Sequence, residues 1–273
     1  MPAVPIRLDG FSAFVADATC GGASFVLSPH LDDAALSVGS LIADLAKLGP
    51  VTVITIFTES GPNVTMSARA FVRQCGYRQA SILYSDRRSE DRLALTSVGA
   101  TAIHLGIPDA LFRCQDPKRF VRRVSRLLPE FNACYATYRF HVSSGKVSVR
   151  DSTLRATLLD TIGKLTVGAA IVLAPVGFGD HVDHVLTNEV AASLALTRPV
   201  IYYADQPYAA ARGTSDPPSV PGLRAARLAV DRKVKGSLVE KYKSQVPALF
   251  GSGDIPYLAE YLYVPPSLIP LMS

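Results

Sequence analysis

Apolar positions along this 273-residue chain follow two periods, one short and continuous, the other helical. Residues 24–28, Ser-Phe-Val-Leu-Ser, form a short apolar run that reads as a buried strand. From Ala34 to Leu48 the apolar residues Ala35, Val38, Ile42, Leu45 and Ala46 recur near helical spacing, and Gly49–Pro50 stops the pattern. The run VTVITIF at 51–57 is β-branched and predicts a second buried strand. Strand, helix and strand joined this closely make a βαβ unit, whose crossover is right-handed. After a polar loop with Gly61–Pro62, the pattern predicts a helix over 87–100 and a strand over 101–105. Asp116–Pro117 reads as the start of another helix, with Phe120, Val121, Val124, Leu127 and Leu128 on one face. Residues 135–149 alternate around Ser143–Ser144–Gly145 and predict a hairpin. A helix over 153–165, a strand over 169–175, a helix starting near His184 and a strand over 199–204 follow. Strands alternating with helices, with no repeat, linker or low-complexity tract, predict an α/β fold: a Rossmann-like, mostly parallel sheet flanked by helices, in a single domain over 1–273.

Composition narrows the class without naming a function. The chain is 48% hydrophobic and 19% charged, an ordinary globular profile, and no apolar run reaches the length needed to span a bilayer. The first residues lack a basic stretch leading into an apolar core, so no secretory leader is expected. Cys20, Cys75, Cys114 and Cys134 show no paired spacing, which argues against a zinc ribbon or a disulfide framework and for a reducing cytoplasm. A net charge of +5 is compatible with an anionic substrate. The arginine run at Arg119, Arg122, Arg123 and Arg126 lacks interleaved aromatics, so it reads as a solvated helix face and no nucleic-acid partner is expected. The TCGGAS segment matches no dinucleotide fingerprint.

Candidate chemistry gathers in two loops. Ligands of parallel α/β sheets bind beyond the carboxyl ends of the strands. The loop after the first strand holds His30, Asp32 and Asp33; the loop after the 169–175 strand holds His181, Asp183 and His184. Three of the five histidines therefore lie at one predicted sheet edge. Taken alone, Asp33 reads equally well as a helix cap, and His-x-x-His is common on solvated helices. Together they supply the His and carboxylate set of a catalytic zinc site with an open position, with His30, Asp33 and His184 as ligands. Adjacent aspartates cannot both point at one metal without strain, which leaves Asp32 as the base. His181 is then placed to steady an oxyanion or protonate a leaving amine, and Asp183 to orient one imidazole and, as its neighbour, to favour the charged form of His181. Glu59 reads equally as a pocket residue or a solvated loop acid, His104 as a packed core residue and His141 as exposed.

These motifs resemble the PIG-L/LmbE-like zinc-dependent N-acetylglucosaminyl deacetylases. The family's Pro-His-Pro-Asp-Asp-Glu stands here as Pro29-His30-Leu31-Asp32-Asp33-Ala34, and its His-Pro-Asp-His as His181-Val182-Asp183-His184. Weaker echoes are Arg87 with Glu90, Asp109 in LGIPD, and the segments YYADQPYA and KYKSQV, so the likeness spans about residues 24–250. The resemblance implies a hydrolase that removes acetyl from an N-acetylated amino sugar of a glycoside or conjugate. It implies Zn2+ or another divalent ion on His30, Asp33 and His184, Asp32 as general base, His181 as second catalytic residue, and Arg87 and Asp109 facing the sugar. Leu31 and Ala34 depart from the motif and predict altered loop stiffness and a lost supporting hydrogen bond. The alternatives are an amidase of a larger sugar-linked amide, or a carbohydrate-binding module with a degenerate metal site. The 112–168 segment carries no motif and is expected to shape a pocket wall. The sugar, its aglycone and the oligomeric state are not legible.

Overall fold

In a computed structural model, residues 22–62, 64–114, 129–212, 218–251 and 255–268 are described. The first βαβ unit forms as the pattern requires: β1 (Ser24–Ser28), α1 (Asp33–Leu48) and β2 (Val51–Glu59). Two helices follow, α2 (Met66–Gln74) and α3 (Ala80–Thr96), then β3 (Thr101–Pro108). Next come α4 (Ser152–Leu165), β4 (Ile171–Pro175), α5 (Val182–Leu194) and β5 (Val200–Tyr203). The C-terminal part adds β6 (Arg224–Arg227), α6 (Arg232–Val239), α7 (Val246–Phe250) and β7 (Tyr261–Val264).

The strands form one sheet in the order β3-β2-β1-β4-β5-β7-β6. From β3 to β5 every pairing is parallel; β7 is antiparallel to both neighbours. Ser24 of β1 is aligned with Val51 on one side and Ile171 on the other. Successive β1 residues serve opposite faces, as strand geometry demands. Val26 packs with Val38, Ile42 and Leu45 of α1, while Leu27 packs with Leu158, Ile162, Leu186 and Val190 of α4 and α5. Both faces are thus covered, which is why the central strands read as continuous apolar runs.

Helix α1 is broken at Val38, whose φ of −138° is not helical. The interruption leaves the N–H groups of Ser40 and Leu41 to the buried carboxylate of Glu260, at 2.8 and 3.1 Å, and Lys235 Nζ pairs with the same carboxylate at 3.0 Å. At Gly39 the adjacent helix α6 approaches so closely that an added Cβ would lie 2.7 Å from Leu238.

Three expectations need correction. Helix α3 starts at Ala80, not near 87, and α2 occupies what read as a polar loop. Residues 135–149 form no hairpin: Tyr138–Val142 make a single wide helical turn, and Val149–Asp151 a short 3-10 turn. The alternation there does not mark a sheet face, because Tyr135 and Val142 are buried together with Leu31, Phe112 and Val182. The helix expected from Asp116, including its arginine run, lies outside the described residues.

Candidate metal centre

The sheet order reverses direction between β1 and β4, and the loops after those two strands open into the crevice this creates. Leu31 of the first loop and Val182 of the second sit in one apolar cluster, so an apolar side chain at the first departure joins the two loops. Ala34, the second departure, packs in the core with Val26 and Val38, and its N–H donates to Ser28 Oγ at 3.1 Å.

Both loops deliver their side chains to one point. Asp33 Oδ2 lies 3.0 Å from His30 Nδ1 and 3.1 Å from His184 Nε2. The far nitrogen of each ring meets another carboxylate: His30 Nε2 lies 3.1 Å from Asp183 Oδ2, and His184 Nδ1 lies 2.6 Å from Asp205 Oδ1. Those carboxylates are themselves held. Asp183 accepts the Ala110 N–H and pairs with Arg113; Asp205 accepts the N–H groups of Gly177 and Phe178. A carboxylate behind each imidazole fixes which nitrogen carries hydrogen and leaves the other lone pair facing the shared point.

These residues fit a divalent cation. Buried His184 Nε2 makes no hydrogen bond despite its nearness to Asp33, which suits a nitrogen meant for a metal. Atoms 2.0–2.1 Å from a tetrahedral zinc lie about 3.3 Å apart, close to the two separations that Asp33 Oδ2 makes with His30 Nδ1 and His184 Nε2. The local field also favours positive charge. Burial disfavours the His30 imidazolium, but Asp109, Asp183 and Asp33 outweigh it and push the ring up to about 10. His184 is likewise raised, against its burial, by Asp33 and Asp205. Burial works against the Asp33 carboxylate too, yet His184 and His30 hold it well below its usual range. Two buried sets bring their ligand atoms all within 4.8 Å of one another: His30, His181 and His184, and His30, Asp109, His181 and Asp183; Asp33 belongs to neither.

Asp32 turns to Arg87, 3.5 Å away, whose guanidinium lies over the Tyr84 ring. Burial, opposed by Arg87 and reinforced by Asp33, lifts the Asp32 carboxyl to about 7. Asp109 caps the turn at Ala110–Phe112, accepts the Tyr84 hydroxyl at 2.7 Å and approaches His30 Nε2 at 3.6 Å. His181 is the N-cap of α5, its Nδ1 accepting the Asp183 N–H at 3.2 Å. Asp183 was expected to favour a charged His181. It does act in that direction, but burial and His30 outweigh it and push the ring down to about 3. His181 is a neutral imidazole carrying its hydrogen on Nε2.

His30, Asp32, Asp33, Arg87, Asp109 and His181 all line one cavity of about 460 Å³, with Tyr138 from the motif-free segment in its wall. Other candidates lie elsewhere. Glu59 pairs with Arg88 at 2.8 Å, His104 is a core residue paired with Asp91 at 2.7 Å, and His141 is exposed. The sequence reading missed Asp205, Arg113, Tyr84 and Tyr208, the last a cavity-lining residue whose ring packs edge-on against His184 at 5.4 Å between centroids. Asp205 stood in the YYADQPYA segment just past a predicted strand, a position that could have flagged it; Arg113 had no local signal.

Fold and site together define an α/β protein with a buried His/Asp group, able to hold a metal ion, at the switch point of its sheet. The chain belongs to the PIG-L family: the family model described as GlcNAc-PI de-N-acetylase matches residues 25–195. It is 27% identical over 199 residues to the 2'-N-acetylparomamine deacetylase of Streptomyces fradiae, a match covering 71% of this chain and 61% of that protein. The chain therefore spans less than two thirds of that relative. Among solved structures it resembles the deacetylase of the teicoplanin biosynthesis pathway (TM-score 0.68, 23% identity, 88% of this chain and 96% of that one). It also resembles the deacetylase of the A40926 pseudoaglycone (TM-score 0.65, 24% identity, 89% and 97%). No helix among the described residues is long and apolar enough to cross a membrane.

Proposed function

We propose that this chain is a metal-dependent N-deacetylase. It removes acetyl from an N-acetylated amino sugar, of the N-acetylglucosaminyl type, within a larger glycoside or conjugate. In this reading it acts as one domain, in the cytoplasm, on a small molecule and without a nucleic-acid or membrane partner. The observation that carries the reading is Asp33 Oδ2 lying 3.0 Å from His30 Nδ1 and 3.1 Å from His184 Nε2, with His30, Asp33 and the Asp32 carboxyl lining one cavity. Family membership and the likeness to a protein named as an amino-sugar deacetylase support the amide chemistry.

His30, Asp33 and His184 would hold zinc or another divalent ion, which when bound polarises an amide carbonyl and lowers the pKa of water. Asp32, with its carboxyl near 7, is matched to accept a proton from the attacking water. Oxygen adds to the acetyl carbon, the C–N bond breaks, acetate departs and Asp32 returns the proton to the leaving amine. His181, neutral, donates Nε2–H to the negative oxygen that develops. Asp183 and Asp205 hold the His30 and His184 rings, while Arg87 and Asp109 face the sugar.

The test is acetate release from a panel of N-acetylglucosaminides, with metal analysis of the same sample. One divalent ion per chain and turnover on at least one glycoside are expected. Asp32→Asn should keep the ion and lower turnover by about 10²–10⁴-fold. Loss of the ion in that variant would exchange the roles of the two aspartates. A metal-loaded protein that releases no acetate from any glycoside would refute the reading.

A further inference from the structure

The charged side chains of the cavity lining are few and are gathered in the His/Asp group and Arg87, which form its floor. The lining contributed by α2 and α7 and by Tyr138 is uncharged and mostly apolar: Ala70 and Phe71 of α2, and Ala248 and Leu249 of α7, with Ser67, Gln74 and Gln245 as its neutral polar members. Gln74 donates its side-chain amide to the Ala248 carbonyl at 3.0 Å, so α2 and α7 form one wall. Beyond it the apolar character continues into solvent. Met66, next to the lining residue Ser67, is 77% exposed; Phe140, two residues from Tyr138, is 75% exposed; Phe131 is 66% exposed. Backbone N–H groups bonded to side chains join these rim segments: Tyr138 N donates to Ser67 Oγ at 3.2 Å, and Met66 N to the carboxylate oxygen Glu130 Oε1 at 2.8 Å. Scattered exposed apolar residues are ordinary, but a group of them continuous with an apolar cavity wall marks a binding surface.

We infer that this wall and rim are a subsite for a neutral apolar aglycone, aromatic or alkyl, attached to the amino sugar. The assignment rests on the deacetylase reading for its direction. The reacting acyl group and the sugar are held at the floor, where Arg87 and Asp109 are buried. What reaches the rim is therefore the sugar's substituent and not the acyl group. The one arginine of the cavity lining, Arg87, is paired with Asp32, but exposed Arg139 stands between Tyr138 and Phe140 at the rim, so a phosphoinositol glycoside is the competing ligand that the experiment must exclude.

The experiment compares matched glycosides on the zinc-loaded protein. Phenyl N-acetylglucosaminide should exceed the methyl glycoside by about tenfold or more in kcat/KM, mainly through KM, the size expected for covering one aromatic group. Phe140→Ser and Leu249→Ser, at exposed positions that tolerate substitution, should shrink that ratio toward one. Calorimetry with the amide-free phenyl and methyl glucosaminides reads the subsite without turnover. A phenyl preference in binding without acetate release keeps the subsite and sinks the deacetylase reading. Turnover with equal phenyl and methyl constants sinks the subsite alone. A preference for a phosphoinositol glycoside, or for N-octanoyl over N-acetyl substrates, would overturn the assignment to a neutral aglycone.

Discussion

At the scale of single residues the most instructive side chain is Asp205, which no motif singled out. Its Oδ1 lies 2.6 Å from His184 Nδ1, and its Oδ2 accepts two backbone N–H groups that fix it in place. It orients His184 and keeps hydrogen on Nδ1, so that Nε2 presents its lone pair. Losing such a partner lowers metal affinity by about 10–100-fold. Asp205→Asn is therefore expected to need 10–100-fold more free zinc for half-saturation, measured by competition with a chromogenic chelator. An unchanged affinity would mean that the carboxylate only pins the Gly177–Phe178 turn. The contacts among His30, Asp33 and His184 were legible because two short motifs, each behind a strand, carry the residue types that metals bind. Asp205 was not, because an aspartate after a strand is common and its meaning lies in a contact 21 residues away. The charge of His181 was misjudged for a related reason. Sequence adjacency exposes the attraction of Asp183 but hides burial and His30, which arrives from a loop about 150 residues earlier.

Among the elements, α1 links the core to the chemistry. It carries Asp33 in its first turn, breaks at Val38, and resumes where Glu260 accepts the N–H groups of Ser40 and Leu41. Lys235, also buried, neutralises Glu260 and donates to the Leu258 carbonyl. Removing one partner of a buried pair leaves the other charge uncompensated, at a cost of about 3–5 kcal/mol. Lys235→Met should lower unfolding free energy by about that amount in denaturant titration. A loss under 1 kcal/mol would show that Glu260 is satisfied by the helix N–H groups alone. The sequence exposed the central strands and the helices with clear apolar stripes, because burial on both faces writes itself as unbroken or periodic apolar runs. It did not expose the kink, since Val38 fits the helical spacing and Glu260, which accepts the freed N–H groups, lies over 200 residues away. Helix α2 was missed because Ala68 and Val72 are its only buried side chains. The hairpin reading failed because Tyr135 and Val142 meet in one cluster across a helical turn.

For the molecule as a whole, the site bridges the two halves of the sheet, so its occupancy should register in global stability. A ligand at 1,000 times its dissociation constant adds about 4 kcal/mol, and chelation should lower the melting temperature by several degrees. The pH dependence follows from the charges. In the metal-free chain His30 is raised from 6.5 to about 10, and His184 is raised as well. A raised imidazole contributes stability that is complete below its unfolded value near 6.5 and is lost as pH climbs through the folded value. The Asp32 carboxyl, raised to about 7 by burial, acts in the same direction between pH 4 and 7. Chelated protein should therefore melt at progressively lower temperature from pH 6.5 to 9. Zinc binding displaces those same protons, so affinity strengthens as pH rises and the gap between zinc-loaded and chelated protein should widen across that window. His184→Ala, lacking one ligand and one raised imidazole, should show a smaller gap and a flatter pH dependence. Paired calorimetric scans at pH 6.5, 7.5 and 8.5 measure both quantities. A chelated protein whose melting temperature holds or rises over that range would show that the imidazoles do not stand in for the cation.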